Sequence, residues 1–238
     1  MWGRRGVAFS LRPRVAVPRR ARGTLAVALP VMIAAPALNG FYLSLGPLLA
    51  AQVLRSPDLL WGGLVIFLVA GTGAAASVAF RAVDGPVAML AGCLALLAGA
   101  VMTLAAIETG SAAAFLAGAA VAGAGVGTGF FLGAYRILTA LAGPGQRAGL
   151  VAAIWIVFYL AFSVPVVGAG VATAHFGLHQ TAVVYSAALA VLAAAAAGSF
   201  LFRRSSQTRG PGPAAAPAGQ PGQPADVPVS QSGRWRRA

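Results

Sequence analysis

Residues 87–107 read VAMLAGCLALLAGAVMTLAAI, twenty-one consecutive positions without a charge, a proline or an amide. As a helix rising about 1.5 Å per residue, such a run measures about 30 Å, the thickness of a bilayer's hydrocarbon core. The run is closed on one side by a turn from Arg81 to Pro86 and on the other by Glu108, Thr109, Gly110 and Ser111, residues suited to a short exposed loop. It reads as a transmembrane helix.

The same alternation of long apolar runs and short polar breaks extends in both directions. Toward the N-terminus lie a span over residues 61–80, opened by Trp61 as an interfacial anchor, and one over residues 24–54. The latter holds Pro30, Pro36 and Pro47, which remove backbone donors, so a long, bent helix is expected. Toward the C-terminus the spans are residues 112–135, 148–173 and 181–202. Gly143, Pro144 and Gly145 break the chain between the fourth and fifth, and a loop over 174–180 carries both histidines, His175 and His179. Three regions result: a basic arm over 1–23, a six-helix membrane domain over 24–204, and a tail over 205–238 rich in Pro, Gly, Ala and Gln, which cannot bury a core and is expected to be disordered.

Composition agrees with that partition. The chain is 59% hydrophobic and 9% charged, with a mean hydropathy of +0.83, far from the quarter or so of charged residues a soluble domain carries. Its net charge of +13 comes from seventeen arginines and no lysine against Asp58, Asp84, Glu108 and Asp226. The arginines flank apolar segments and do not stripe a polar helix, so they report topology and not nucleic-acid binding. With six spans, sixteen of the seventeen fall on one side and only Arg55 on the other. The positive-inside rule then places both termini in the cytoplasm, in a multi-pass protein of the cell's inner, plasma membrane.

Several chemistries lack their residues. Without lysine there is no Walker A phosphate loop and no Schiff base. Cys93, alone inside an apolar run, is expected to pack, and the two histidines lack metal-ligand spacing, so neither a metal nor a cofactor is expected. An intramembrane protease would need a placed nucleophile and base, such as Ser163 with His175, and no nucleophile elbow surrounds that serine. The chain reads as no enzyme.

No ionisable residue falls at mid-depth, where each would cost about 2.5–3.5 kcal/mol on insertion scales. The uncharged polar residues of the spans are therefore the candidates for lining a substrate cavity: Asn39, Tyr42, Ser44, Thr72, Tyr159 and Ser163. The alternative role for each is to hold helices together. Gly125, Gly129 and Gly133, spaced by four with Gly123 and Gly127 on a neighbouring line, form a face bare enough for another helix to approach closely. No G-x-G-x-x-G register fits them, so they predict packing and not a dinucleotide loop.

The string from Pro36 to Pro47, PALNGFYLSLGP, resembles the seventh helix of bacterial major facilitator superfamily transporters. The glycine-rich span ending Gly133, Ala134, Tyr135, Arg136 resembles their tenth, and Tyr159, Ser163, Pro165, Gly168 and Gly170 resemble their eleventh. Arg81, Asp84 and Gly85 resemble a remnant of the family's Gly, Asp, Arg, Gly loop signature. The resemblance implies an all-α fold, a polytopic bundle of six transmembrane helices equivalent to one half of such a carrier and built from two three-helix units. It implies movement of a small-molecule substrate, efflux included, across the lipid bilayer by alternating access. Because the family encloses its substrate between two six-helix halves, it also implies a partner, either a homodimer or a complementary transporter half. The rival expectation is a non-transporting membrane scaffold or truncated remnant.

Overall fold

A computed structural model of the chain describes residues 22–55, 58–140 and 147–208, and the described residues are almost wholly helical. The first span is two helices, α1 (Arg22–Ser44) and α2 (Gly46–Val53), meeting at 55°. Then come α3 (Leu59–Ala79), α4 (Gly85–Thr109) and α5 (Ala112–Gly125). The last of these runs on as a π-helical stretch, Val126–Tyr135, and ends in α6 (Arg136–Ala140). The final two are α7 (Arg147–Phe176) and α8 (Leu178–Thr208). By length and apolarity α3, α4, the α5 to α6 run, α7 and α8 each suffice to cross a membrane, and the bent pair α1 and α2 brings the number to six when counted as one broken span. The chain is thus an all-helical protein with the helices of a membrane-spanning bundle.

Local chemistry sets the ends. The Asp58 carboxylate accepts from the Leu60 N–H at 3.0 Å and caps α3, and Ser111 Oγ accepts from the Ala114 N–H at 3.4 Å to start α5. Gly110, at φ 65°, closes α4 in the left-handed conformation that a side chain disfavours. The bend of the first span falls at Leu45, neither at Pro30 nor at Pro36. Pro47 sits in the first turn of α2 and has no N–H to offer the Leu43 carbonyl, so the ladder breaks there.

Two boundaries differ from expectation. The loop expected over 174–180 is reduced to a single residue, Gly177 at φ 82°, which puts His175 on α7 and His179 on α8. Glycine needs no longer connection to reverse two helices. The sixth helix continues to Thr208, past its expected end. The cluster Gly143, Pro144 and Gly145, nearly all of the basic arm and the tail beyond Thr208 lie outside the described residues.

Span four is far more enclosed than α7, with 61% of its apolar window buried against 11%. Its glycines explain why. Leu96 of α4 stacks on Gly125, Gly92 approaches Gly129 backbone to backbone, and Met89 covers Gly133, where a Cβ would meet the Met89 Cβ at 2.6 Å. The neighbouring line faces α3: a Cβ on Gly123 would strike the Val69 carbonyl and one on Gly127 the Gly73 carbonyl. One bare face was expected to admit one helix; two bare lines admit two.

Span three packs chiefly on spans four and six, span two on span four, and span one on spans five, two, four and six.

Candidate functional site

Spans one and four are the two irregular ones. Span one breaks at Leu45, and span four passes through ten residues of π-helix, where glycine leaves few side chains to hold the ordinary i to i−4 register. π-helical turns and broken membrane helices gather at functional sites, because irregular backbone in a bilayer must line protein or a cavity.

The six polar candidates divide in two. Tyr42 is fully buried, and its hydroxyl donates to Thr103 Oγ1, which in turn donates to the Gly99 carbonyl at 2.8 Å. The Tyr42 ring sits edge-on to Phe41 and tilted against Phe115, so it fastens α1 to α4 and α5. Thr72 Oγ1 reaches the Leu68 carbonyl at 2.6 Å and, across the helix boundary, the Ala120 carbonyl at 2.8 Å. Ser44 Oγ turns back on the Gly40 carbonyl at 2.7 Å. These three hydroxyls are occupied within the bundle.

Asn39, Tyr159 and Ser163 are not. Asn39, half-buried on α1, makes no hydrogen bond among the described residues, and Tyr159 is 62% exposed on α7. The α1 and α7 helices meet at Gly40, where a Cβ would lie 2.8 Å from Val166 and 3.2 Å from the Phe162 carbonyl. Asn39 and Ser163 each stand one residue from that contact. An aromatic cluster ties the same part of α7 to the π-helical stretch: Phe130 and Phe158 rings lie 5.0 Å apart, Trp155 and Phe158 5.3 Å, and Phe158 and Tyr159 5.8 Å. Polar groups without partners, the exposed Tyr159 ring and irregular backbone thus lie along one wall built from α1, the π-helical stretch and α7.

The remnant loop signature lies at one end of the bundle. Arg81 is exposed, and its carbonyl accepts from Arg136 Nη1 at 3.1 Å. Asp84 precedes α4 without capping it, and Gly85 packs on Ile137. His179 Nε2 stands 3.9 Å from Glu108 Oε1 at the opposite end, both side chains exposed. Among the described residues no three His, Cys, Asp or Glu side chains converge.

A second opening escaped the sequence reading. A groove of about 500 Å³ separates α7 from α8, lined by Pro165, Gly168, Ala172, Phe176 and Tyr185 together with Thr181. Thr181 Oγ1 and Ser186 Oγ are buried without a hydrogen-bond partner among the described residues. Tyr185, by contrast, donates to the Ala37 carbonyl at 3.0 Å and packs edge-on to Phe41. Isolated hydroxyls in an alanine-rich helix carry no sequence signal that separates these cases.

No family model matches this sequence, and no curated protein or solved structure matches it either. What the wall does must be argued from its own chemistry.

Proposed function

We propose that the chain is one half of an alternating-access carrier that moves a small molecule across the plasma membrane, similar to the C-terminal half of a major facilitator protein. The observation that carries this reading is the placement of the two irregular spans. Discontinuous helices at corresponding positions of two repeats are the best pointer to a transporter's binding site, and this reading takes spans one and four, with the bend at Leu45 and the π-helical stretch 126–135, as the first helices of its two three-helix units. The wall carrying Asn39, Tyr159 and Ser163 supplies the polar and aromatic lining. A second copy or a complementary half closes that wall into a cavity. Both termini face the cytoplasm, and no enzymatic step is involved.

A second reading, a non-transporting scaffold, draws on the occupied hydroxyls. Tyr42 and Thr72 spend their hydrogen bonds between helices, as interhelical glue does. The test is the mass of the particle purified in nanodiscs together with solute flux in proteoliposomes. A dimer or heteromer of about twelve spans whose flux falls on Asn39→Leu supports the carrier. A stable six-helix monomer without flux leaves the scaffold.

A further inference from the structure

The groove of about 500 Å³ between α7 and α8 has the volume of a small-molecule site, and small residues make the room. Gly168, Ala169 and Ala172 line it from α7 and Ala188 from α8, and a Cβ on Gly168 would meet nothing within 4 Å. Along α7 the lining runs from Pro165 to Phe176, about 16 Å of helix.

The free polar groups of this groove gather at one end. Gln180 and Thr181 line it at the start of α8, just past the reversal at Gly177. Thr181 is only 6% exposed, and its hydroxyl has no partner among the described residues. Other hydroxyls of the bundle avoid that state: those of Thr103, Thr128 and Thr173 turn back on the carbonyl four residues earlier, at 2.7–2.8 Å. The carbonyl in that position for Thr181, on Gly177, accepts its N–H at 3.3 Å but not its hydroxyl. Gln180 is exposed and makes no hydrogen bond among the described residues either. The Tyr185 hydroxyl, one turn further along, is taken by the Ala37 carbonyl.

This lining selects the chemistry of an occupant. Among the described residues no acid, arginine or histidine lines the groove, so a charged group there would find no counter-charge. A water needs about two to four polar partners, and beside Thr181 the groove offers mostly carbon. A molecule with one neutral hydrogen-bonding group and a hydrocarbon body satisfies both ends. We propose that the groove between α7 and α8 binds an uncharged amphiphile, its hydroxyl or carbonyl on Thr181 and its apolar body along Gly168 and Ala172, whether or not the chain carries a solute across the membrane.

The probe is octanol bearing a photoactivatable diazirine, and its control is the same diazirine alkane without the hydroxyl. The full-length protein in nanodiscs is irradiated with each, and labelled positions are mapped by mass spectrometry, with the exposed Phe67 face of α3 as the internal reference for lipid-facing surface. In wild type the alcohol labels the groove above that reference, is displaced by excess octanol, and labels more strongly than the alkane. Thr181→Val lowers groove labelling by the alcohol about fivefold, the loss of one hydrogen bond, and leaves labelling by the alkane unchanged. The same substitution removes an unsatisfied hydroxyl from the ligand-free protein, so the variant folds. Gly168→Leu places a side chain in open space and abolishes the displaceable labelling. Equal labelling of the groove by alcohol and alkane, unchanged in Thr181→Val, overturns the proposal and leaves the groove to lipid acyl chains. Labelling no stronger than at the α3 reference overturns it as well.

Discussion

The Tyr42 hydroxyl donates to Thr103 Oγ1 across the boundary between α1 and α4, and Thr103 Oγ1 in turn donates to the Gly99 carbonyl. The two ends of this relay are unequal. Tyr42→Phe removes a donor and leaves Thr103 still bonded, at a cost of about 0.6 kcal/mol, typical of an interhelical hydrogen bond in a membrane. Thr103→Val strands a buried phenol and costs about 1–3 kcal/mol. Thermal unfolding midpoints in detergent should rank wild type, Tyr42→Phe and Thr103→Val in that order, with the double variant close to Tyr42→Phe. A milder Thr103→Val would mean that the phenol finds another partner.

Glycine does two different jobs in the bundle, and alanine separates them. At Gly127 a Cβ meets the Gly73 carbonyl, an atom of backbone that cannot rotate away; at Gly168 it meets nothing within 4 Å. Gly127→Ala should destabilise by about 1–3 kcal/mol, the usual cost of overpacking. Gly168→Ala should leave the midpoint unchanged or raise it, since alanine favours the helix by about 1 kcal/mol. Equal effects would contradict the packing of α3 on span four.

Asn39→Leu divides the carrier from the scaffold. Because the amide has no partner among the described residues, the substitution should preserve or raise the unfolding midpoint while solute flux falls at least about tenfold, if an unpaired amide in the cavity is what meets the substrate. Lost stability with unchanged flux would assign Asn39 to helix packing.

Thr181 Oγ1 and Ser186 Oγ are buried without partners, so their removal should help. Thr181→Val and Ser186→Ala should each stabilise by about 1 kcal/mol, the cost of an unsatisfied hydroxyl. If Thr181→Val instead destabilises, the α7 and α8 groove holds a water or ligand that bonds to this hydroxyl.

Topology is open to labelling, since Cys93 is the chain's single cysteine and is buried. In a Cys93→Ala background, a cysteine replacing Ala82 should react with a membrane-impermeant maleimide only after the cells are broken, and one replacing Ser111 in intact cells. The reverse pattern would invert the orientation drawn from the arginines.

The spans were legible because hydrocarbon demands uninterrupted apolarity, a property each residue contributes on its own. The run at 87–107 lies inside α4, and the expected bend of the first span is present. Which proline made the bend was not legible: Pro30 and Pro36 sit inside α1, where packed neighbours accommodate them, and the break falls at the Leu45, Gly46, Pro47 junction. The glycine lines were visible, but the ten-residue change of helical register was not, because hydropathy is the same for both registers. Nor could sequence separate Tyr42 from Asn39. Both are polar residues on α1, three positions apart; the arrival of Thr103 from sixty-one residues away occupies one and leaves the other free.

Span four also has a mechanical character. Where leucines interlock, one helix slides past another only by lifting knob after knob out of its hole, with a rotamer change at each step. Against Gly92, Gly73 and Val69 the contacts of span four are largely backbone on backbone, a smooth journal in which a shaft turns or shifts a fraction of a turn without disengaging teeth. Any rocking of this bundle would meet least friction along that helix.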